Sequence, residues 1–367
     1  MDEVFFRKYC DLMARVAPFR KSADAEIIKT VGHITALANR AEELTHGKNE
    51  SRFEWSDSLS HTTDSLYLRA LGLLQALERG EQPLKGRFAE PGGRMWDHSI
   101  VIRDGLVHIF YTGASVAYNW PERFTDTVGH AVSRDLLHWE ILPPVITAEK
   151  GGHDSHQVWA PGVFSWNGRW WMFYTGVNYE ISQCHCLAVS DDLYTWEKID
   201  PRPLMIPPAW TGWKKDQWSD CRDDMVFADD DGRMYLYYCT THFDEQGQRR
   251  TAVGMMSSRE PYHWQDEGWL TLEGCKMAPE SPYVIKRNGL YYLFYTNCEH
   301  FGTCYACSEH PLTGWREVGM LIPGACCTEA FCLNGQWYLS ACEEGMIGFY
   351  EMLWQDDGTV KVGSRLK

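Results

Sequence analysis

The pattern of apolar and polar positions changes near residue 90. Before it, apolar residues recur at helical spacing: Ile27, Val31, Ile34 and Ala38, then Leu66, Ala70, Leu73, Leu74 and Leu77 ahead of Gly80 and Pro83. With the stretch from Val4 to Val16, these predict three helices. From Met95 onward, short runs rich in β-branched and aromatic residues take over, broken by Gly-containing turns. Residues 221–240 show the unit, which is a strand, an acidic turn closed by Gly232, and a second strand rich in Tyr.

The same hairpin recurs around Gly105, Gly168, Gly289 and Gly335, giving five copies. The five turn glycines lie 63, 64, 57 and 46 residues apart, the period of a four-stranded propeller blade with variable loops. After each of the first four hairpins a third strand leads to a tryptophan: Trp139, Trp196, Trp264 and Trp315. The expected fold is an all-β five-bladed β-propeller over residues 91–367 with an N-terminal α-helical extension over residues 1–90. Pro91-Gly92-Gly93 is read as the hinge between them.

Repeat phase also locates candidate chemistry. Counted back from the turn glycines, Asp97 stands eight residues upstream, and Asp223 and Glu280 nine, so three acids occupy nearly the same place in three blades. In a propeller that place, the start of the innermost strand, opens on the central channel. One acid at a strand start commonly just solvates a blade end, whereas three in phase point to shared chemistry. Crowded carboxyls in a partly desolvated funnel separate their proton affinities, which allows one to stay protonated beside ionised neighbours. That is the requirement for cleaving a glycosidic bond. Arg222 is expected to keep Asp223 ionised, leaving Glu280 as the acid.

The residues around these acids carry a resemblance. Asp97-His-Ser-Ile, Trp159-Ala-Pro, Asp223-Asp-Met-Val-Phe-Ala-Asp-Asp-Asp-Gly and Glu280-Ser-Pro-Tyr resemble glycoside hydrolase family 43. Gly129-His-Ala-Val-Ser-Arg-Asp-Leu-Leu-His-Trp139-Glu and Arg222-Asp223 are similar to family 32. Both are five-bladed furanosidase clans. The family 43 resemblance implies that Asp97 is the general base, Asp223 tunes and orients, and Glu280 is the general acid, with inversion. The family 32 resemblance implies a nucleophilic Asp97, a stabilising Asp223 and an acid/base Glu280, with retention. His98, Asp224 and Ser281 depart from the usual neighbours, and Cys326 to Glu329 stand where family 43 often has an axial His. No metal and no cofactor are therefore expected.

The expected substrate contacts are Trp96 and Trp159, which adjoin the acids in the repeat frame, together with Arg222, His153, His156 and Glu329. The loops 151–156 and 210–218, and an insertion carrying Tyr118, Trp120 and Arg123, are the expected pocket walls. The expected function is removal of a terminal arabinofuranoside, xyloside or fructofuranoside unit from a small oligosaccharide or glycoside. The alternatives are a silent sugar-binding propeller and a phosphorylase or transglycosylase on the same fold. A phosphorylase needs clustered cations near Glu280, and only Arg222, Lys286 and Arg287 are at hand.

A net charge of -15 argues against nucleic-acid and anionic-membrane partners, since phosphate recognition depends on clustered Lys and Arg. No apolar run is long enough to span a bilayer. An odd count of 13 cysteines without a recognisable signal sequence fits reduced thiols, so a cytoplasmic setting is expected. The helices are expected to pack on the propeller or to join copies in a homo-oligomer.

Overall fold

The computed structural model describes residues 3–45, 56–91, 93–115, 125–180, 182–272, 274–275 and 279–367. Tyr118, Trp120 and Arg123 lie outside them. Three helices, Glu3–Val16, Ala25–Thr45 and Ser56–Glu78, bury Leu12, Val16, Ile34, Leu37 and Leu74 against one another, along the stripes that the spacing predicts. The helical unit is tied to the rest by Lys29, whose Nζ donates to the carbonyls of Leu84 (3.2 Å) and Arg87 (2.6 Å).

Among the described residues the strands form four antiparallel four-stranded sheets and one five-stranded sheet; in each, the blade strands neighbour one another in chain order, and the last sheet also takes up Arg87–Phe88. Their inner strands are Gly93–Arg103, Gln157–Trp166, Cys221–Ala228, Pro279–Arg287 and Cys326–Leu333. In four blades an Asp-Gly or Asn-Gly turn follows: Asp104, Asn167, Asn288, Asn334 and the glycine after each all have φ between 49° and 82°. Such turns match the twist of a two-residue hairpin. The third blade instead turns through residues 229–233.

The recurring tryptophans have a common task. The indole N–H groups of Trp139, Trp196, Trp264 and Trp315 donate to the carbonyls of Leu136, Leu193, Pro261 and Pro311, at 2.9–3.2 Å, and so close the turn into each outer strand. Hydrophobic clusters then join each blade to the next. Phe110 shares a cluster with Tyr174, Trp171 with Leu236, Tyr237 with Leu293, Phe294 with Leu339, and Phe349 with Tyr111 around the ring. Each such side chain contributes roughly 1.5–3 kcal/mol by leaving water.

Closure uses both ends of the propeller chain. Arg87–Phe88 pairs with Gly348 and Ile347, while Val360–Arg365 pairs further along the same edge of Met346–Trp354. The first blade-forming residues therefore precede the boundary drawn at residue 90. At the axis the inner strands approach so closely that a Cβ on Gly162 would lie 1.9 Å from the carbonyl oxygen of Asp224. Backbone cannot rotate away, so Gly162→Ala is expected to part the second and third blades at a cost of about 1–3 kcal/mol, read as a lower denaturation midpoint.

Candidate active site

Every inner strand carries the same β-bulge near its start. Two residues oppose one partner residue at 96–97, 160–161, 223–224, 281–282 and 327–328. Bulges re-aim side chains, and this one is strained: Ala160, Asp223, Ser281 and Cys327, its first residue in four blades, have φ of 44–63°. The second residue makes no ladder bond, which accounts for Pro161 and Pro282 there. In this frame Glu280 precedes the bulge, Asp223 is its first residue and Asp97 its second. The acids thus enter from three consecutive register positions; glycine spacing is an uneven ruler because the first blade's inner strand runs one residue longer from bulge to turn and the third blade's turn is wider.

Their carboxyls are joined by short contacts. Ser281 Oγ donates to Asp97 Oδ1 at 2.5 Å, and Ser281 N to Asp223 Oδ2 at 3.0 Å. Arg222 Nη2 donates to Glu280 Oε1 at 2.6 Å, and its Nη1 to Asp220 Oδ1 at 2.5 Å and Gln183 Oε1 at 3.2 Å. Arg222 Nε stands 3.8 Å from Asp223 Oδ2. Cys298 Sγ donates to the other Glu280 oxygen at 3.3 Å. Among the acids, Arg222 therefore hydrogen-bonds Glu280 and Asp220, while Asp223 stands at longer ion-pair distance. Residues 222 and 280 share one register position in neighbouring blades, so the guanidinium reaches across to its counterpart rather than back to its own neighbour.

Burial pushes the Asp223 carboxyl well up, and the charge of Asp97 adds to this while Arg222 opposes it. Asp97 is likewise raised by burial, partly offset by the Ser281 hydroxyl and reinforced by Glu280. A carboxyl with so little access to water favours its neutral form. Asp97 and Asp223 line an axial cavity of about 90 Å³ with His98, Met225, Tyr283 and Glu329. Glu280 is not among the residues that line this cavity; its side chain is 37% exposed and reaches the others through Arg222.

The expected binding residues divide. Arg222 joins the acids. Glu329 faces the axial cavity, but its Oε2 accepts from Ile100 N at 2.7 Å and burial pushes its carboxyl well up. Trp96 is the first bulge residue of blade one, with the Arg94 guanidinium 5.3 Å from its ring centre. Trp159, half-buried, precedes the bulge of blade two and donates to Gln157.

His153 and His156 do not line the axial cavity. His153 lines a separate groove of about 330 Å³ with Asn178, Tyr179, Arg202 and Lys215, and its Nε2 donates to the Ser182 carbonyl at 2.9 Å. His156 packs its ring 5.0 Å from that of Tyr179. Their loop folds back because buried Asp154 anchors it, through Lys198 Nζ at 2.6 Å and Tyr174 Oη at 2.9 Å.

Sequence reasoning did not assign a role to Ser281, although its departure from the usual neighbour of Glu280 was the available signal. Its hydroxyl stabilises the ionised form of Asp97. Ser281→Ala is expected to raise the proton affinity of Asp97 and to move the acidic limb of the activity profile to higher pH by about one unit. Ser281→Gly should move it equally while melting higher than the Ala variant, because φ of 52° suits glycine. A limb that does not move in either variant contradicts this role.

Comparison with known proteins fits this geometry. The profile of glycosyl hydrolases family 43 matches residues 96–316, the span from the first bulge to the outer strand of the fourth blade. The chain belongs to glycosyl hydrolases family 43. Among curated proteins, this family 43 chain is 30% identical over 173 residues to acid beta-fructofuranosidase 4, vacuolar, of Arabidopsis thaliana, covering 45% of the chain and 23% of that protein. It is 34% identical over 138 residues to beta-fructofuranosidase 1 of Zea mays, covering 36% and 19%. The chain thus spans about a fifth to a quarter of the length of these relatives.

Among solved structures, a thermostable family-43 glycoside hydrolase superposes with TM-score 0.60 at 19% identity, covering 75% of this chain and 95% of that one. A Bombyx mori family-32 beta-fructofuranosidase gives 0.59 at 16% identity, covering 76% and 64%. These likenesses establish the five-bladed fold.

Proposed function

We propose that this family 43 protein hydrolyses the terminal furanoside-type unit of a small oligosaccharide or glycoside, an arabinofuranoside, xyloside or fructofuranoside. The observation that carries the reading is the hydrogen-bonded linkage of Asp97 and Asp223 through Ser281, with Glu280 held beside them by Arg222. Water bonds to the anomeric carbon and yields a proton to Asp97 as the glycosidic C–O bond breaks. The leaving oxygen takes a proton from Glu280, and Asp223 orients the sugar and tunes its neighbours. Membership of family 43 supports inversion.

The Arg222–Glu280 pair favours a second reading. The Arg222 guanidinium, 2.6 Å from the Glu280 carboxyl, sets a positive charge against the proposed acid, while burial raises the carboxyls of both Asp97 and Asp223. The two roles would then be exchanged, unless the leaving group displaces Arg222 and the proton passes to Glu280. For a phosphorylase the cations are poorly placed. Lys286 is held by Asp229 at 2.5 Å and Arg287 lies 4.2 Å from the Trp354 ring centre, both toward the turn end of the strand.

Free thiols throughout support a reducing, cytoplasmic setting, and exposed Val4, Phe6, Ile28 and Leu68 support self-association through the helices. The test of function is incubation with nitrophenyl arabinofuranoside, nitrophenyl xyloside and sucrose, with NMR of the first anomer released. Turnover with inversion is expected. Binding by calorimetry without turnover would mean a silent sugar-binding propeller, and a sugar phosphate formed in phosphate buffer would mean a phosphorylase.

A further inference from the structure

General acid catalysis places the leaving group on the side of the site from which the proton comes. With Glu280 as the acid, the side chains linked to its carboxyl flank that side. Arg222 bonds to Glu280 at 2.6 Å and to Asp220 at 2.5 Å, and the indole Nε1 of Trp218 donates to the same Asp220 oxygen at 3.1 Å. Arg249, its side chain half exposed, pairs with the other Asp220 oxygen. One charge-assisted chain therefore runs from Glu280 to an indole that remains 38% exposed.

The indole is held in place. In the loop carrying Trp218, Lys214 N donates to Ser219 Oγ at 2.9 Å and that hydroxyl donates to the Lys214 carbonyl at 2.8 Å. Trp213 anchors the loop inward by donating to the Gln183 carbonyl at 2.7 Å, and Gln183 itself accepts from Arg222. A rigid, part-exposed indole loses little entropy when a flat apolar face settles on it. A sugar ring offers such a face of C–H groups with hydroxyls at its edge, which suits the flanking Arg249.

We infer that Trp218 forms the floor of a leaving-group subsite that holds the sugar unit beyond the scissile oxygen, and so sets a preference for oligosaccharides over simple alkyl glycosides. This rests on the assignment of Glu280 as the acid. The chemistry of the bond broken is unchanged, since Trp218 supplies binding and orientation only.

The test compares kcat/KM within pairs that share the cleaved sugar: arabinobiose with methyl arabinofuranoside, xylobiose with methyl xyloside, and sucrose with methyl fructofuranoside. For the pair that the wild type turns over, Trp218→Ala is expected to lower the disaccharide-to-methyl ratio roughly tenfold, and Trp218→Phe to retain most of it. An unchanged ratio, or an equal fall for both members of the pair, overturns the subsite while leaving the hydrolase reading intact. Wild-type protein that neither binds nor cleaves any member overturns both.

Discussion

Glu280→Gln lowers kcat/KM for a sugar leaving group by about 10²–10⁴-fold if Glu280 is the general acid, and by far less for a nitrophenyl leaving group. Nitrophenolate departs without a proton, whereas a sugar alkoxide does not. The substitution keeps the shape of the side chain, and Arg222 keeps its contact with Asp220, so folding should survive. The leaving-group dependence carries the information. If the roles are exchanged, as the Arg222–Glu280 pair allows, the loss will be the same for both substrates.

Asp97→Asn supplies the complementary result. A base acts on the incoming water whatever departs, so the expected loss is again about 10²–10⁴-fold but equal for sugar and nitrophenyl leaving groups. The pH profile is a second readout. Burial and the nearby Glu280 raise the Asp97 carboxyl, and a base must be ionised to work. Activity should therefore climb with pH through a limb above the ordinary carboxylate range, and Asp97→Asn should abolish that limb. Retention of full activity by either variant would mean that other groups do the chemistry.

Much of this was legible in the sequence, and the parts that were not have physical reasons. Asn-Gly and Asp-Gly turns and the four outer tryptophans fix the blade count because each makes a local contact that recurs. The three acids were legible from repeat phase. Their register was not, since the bulge that sets it is a property of paired strands and leaves only Pro161 and Pro282 as traces.

Arg222 does oppose the rise of its neighbour Asp223, as adjacency suggested, but its hydrogen bond to Glu280 was not legible, because it depends on the register that sets residues 222 and 280 at matching height. His153 and His156 were read as mouth residues from a loop whose course depends on buried Asp154 and its partner Lys198, 44 residues away. The clasp made by Arg87–Phe88 is two residues long, too short to show any period.

The most direct test of the account is a crystal structure of the Glu280→Gln variant soaked with the oligosaccharide that the wild type cleaves. The scissile oxygen should lie within hydrogen-bonding reach of residue 280, with the terminal sugar over Asp97 and Asp223. A saccharide bound instead in the groove beside His153, with the three acids left to water, would contradict it.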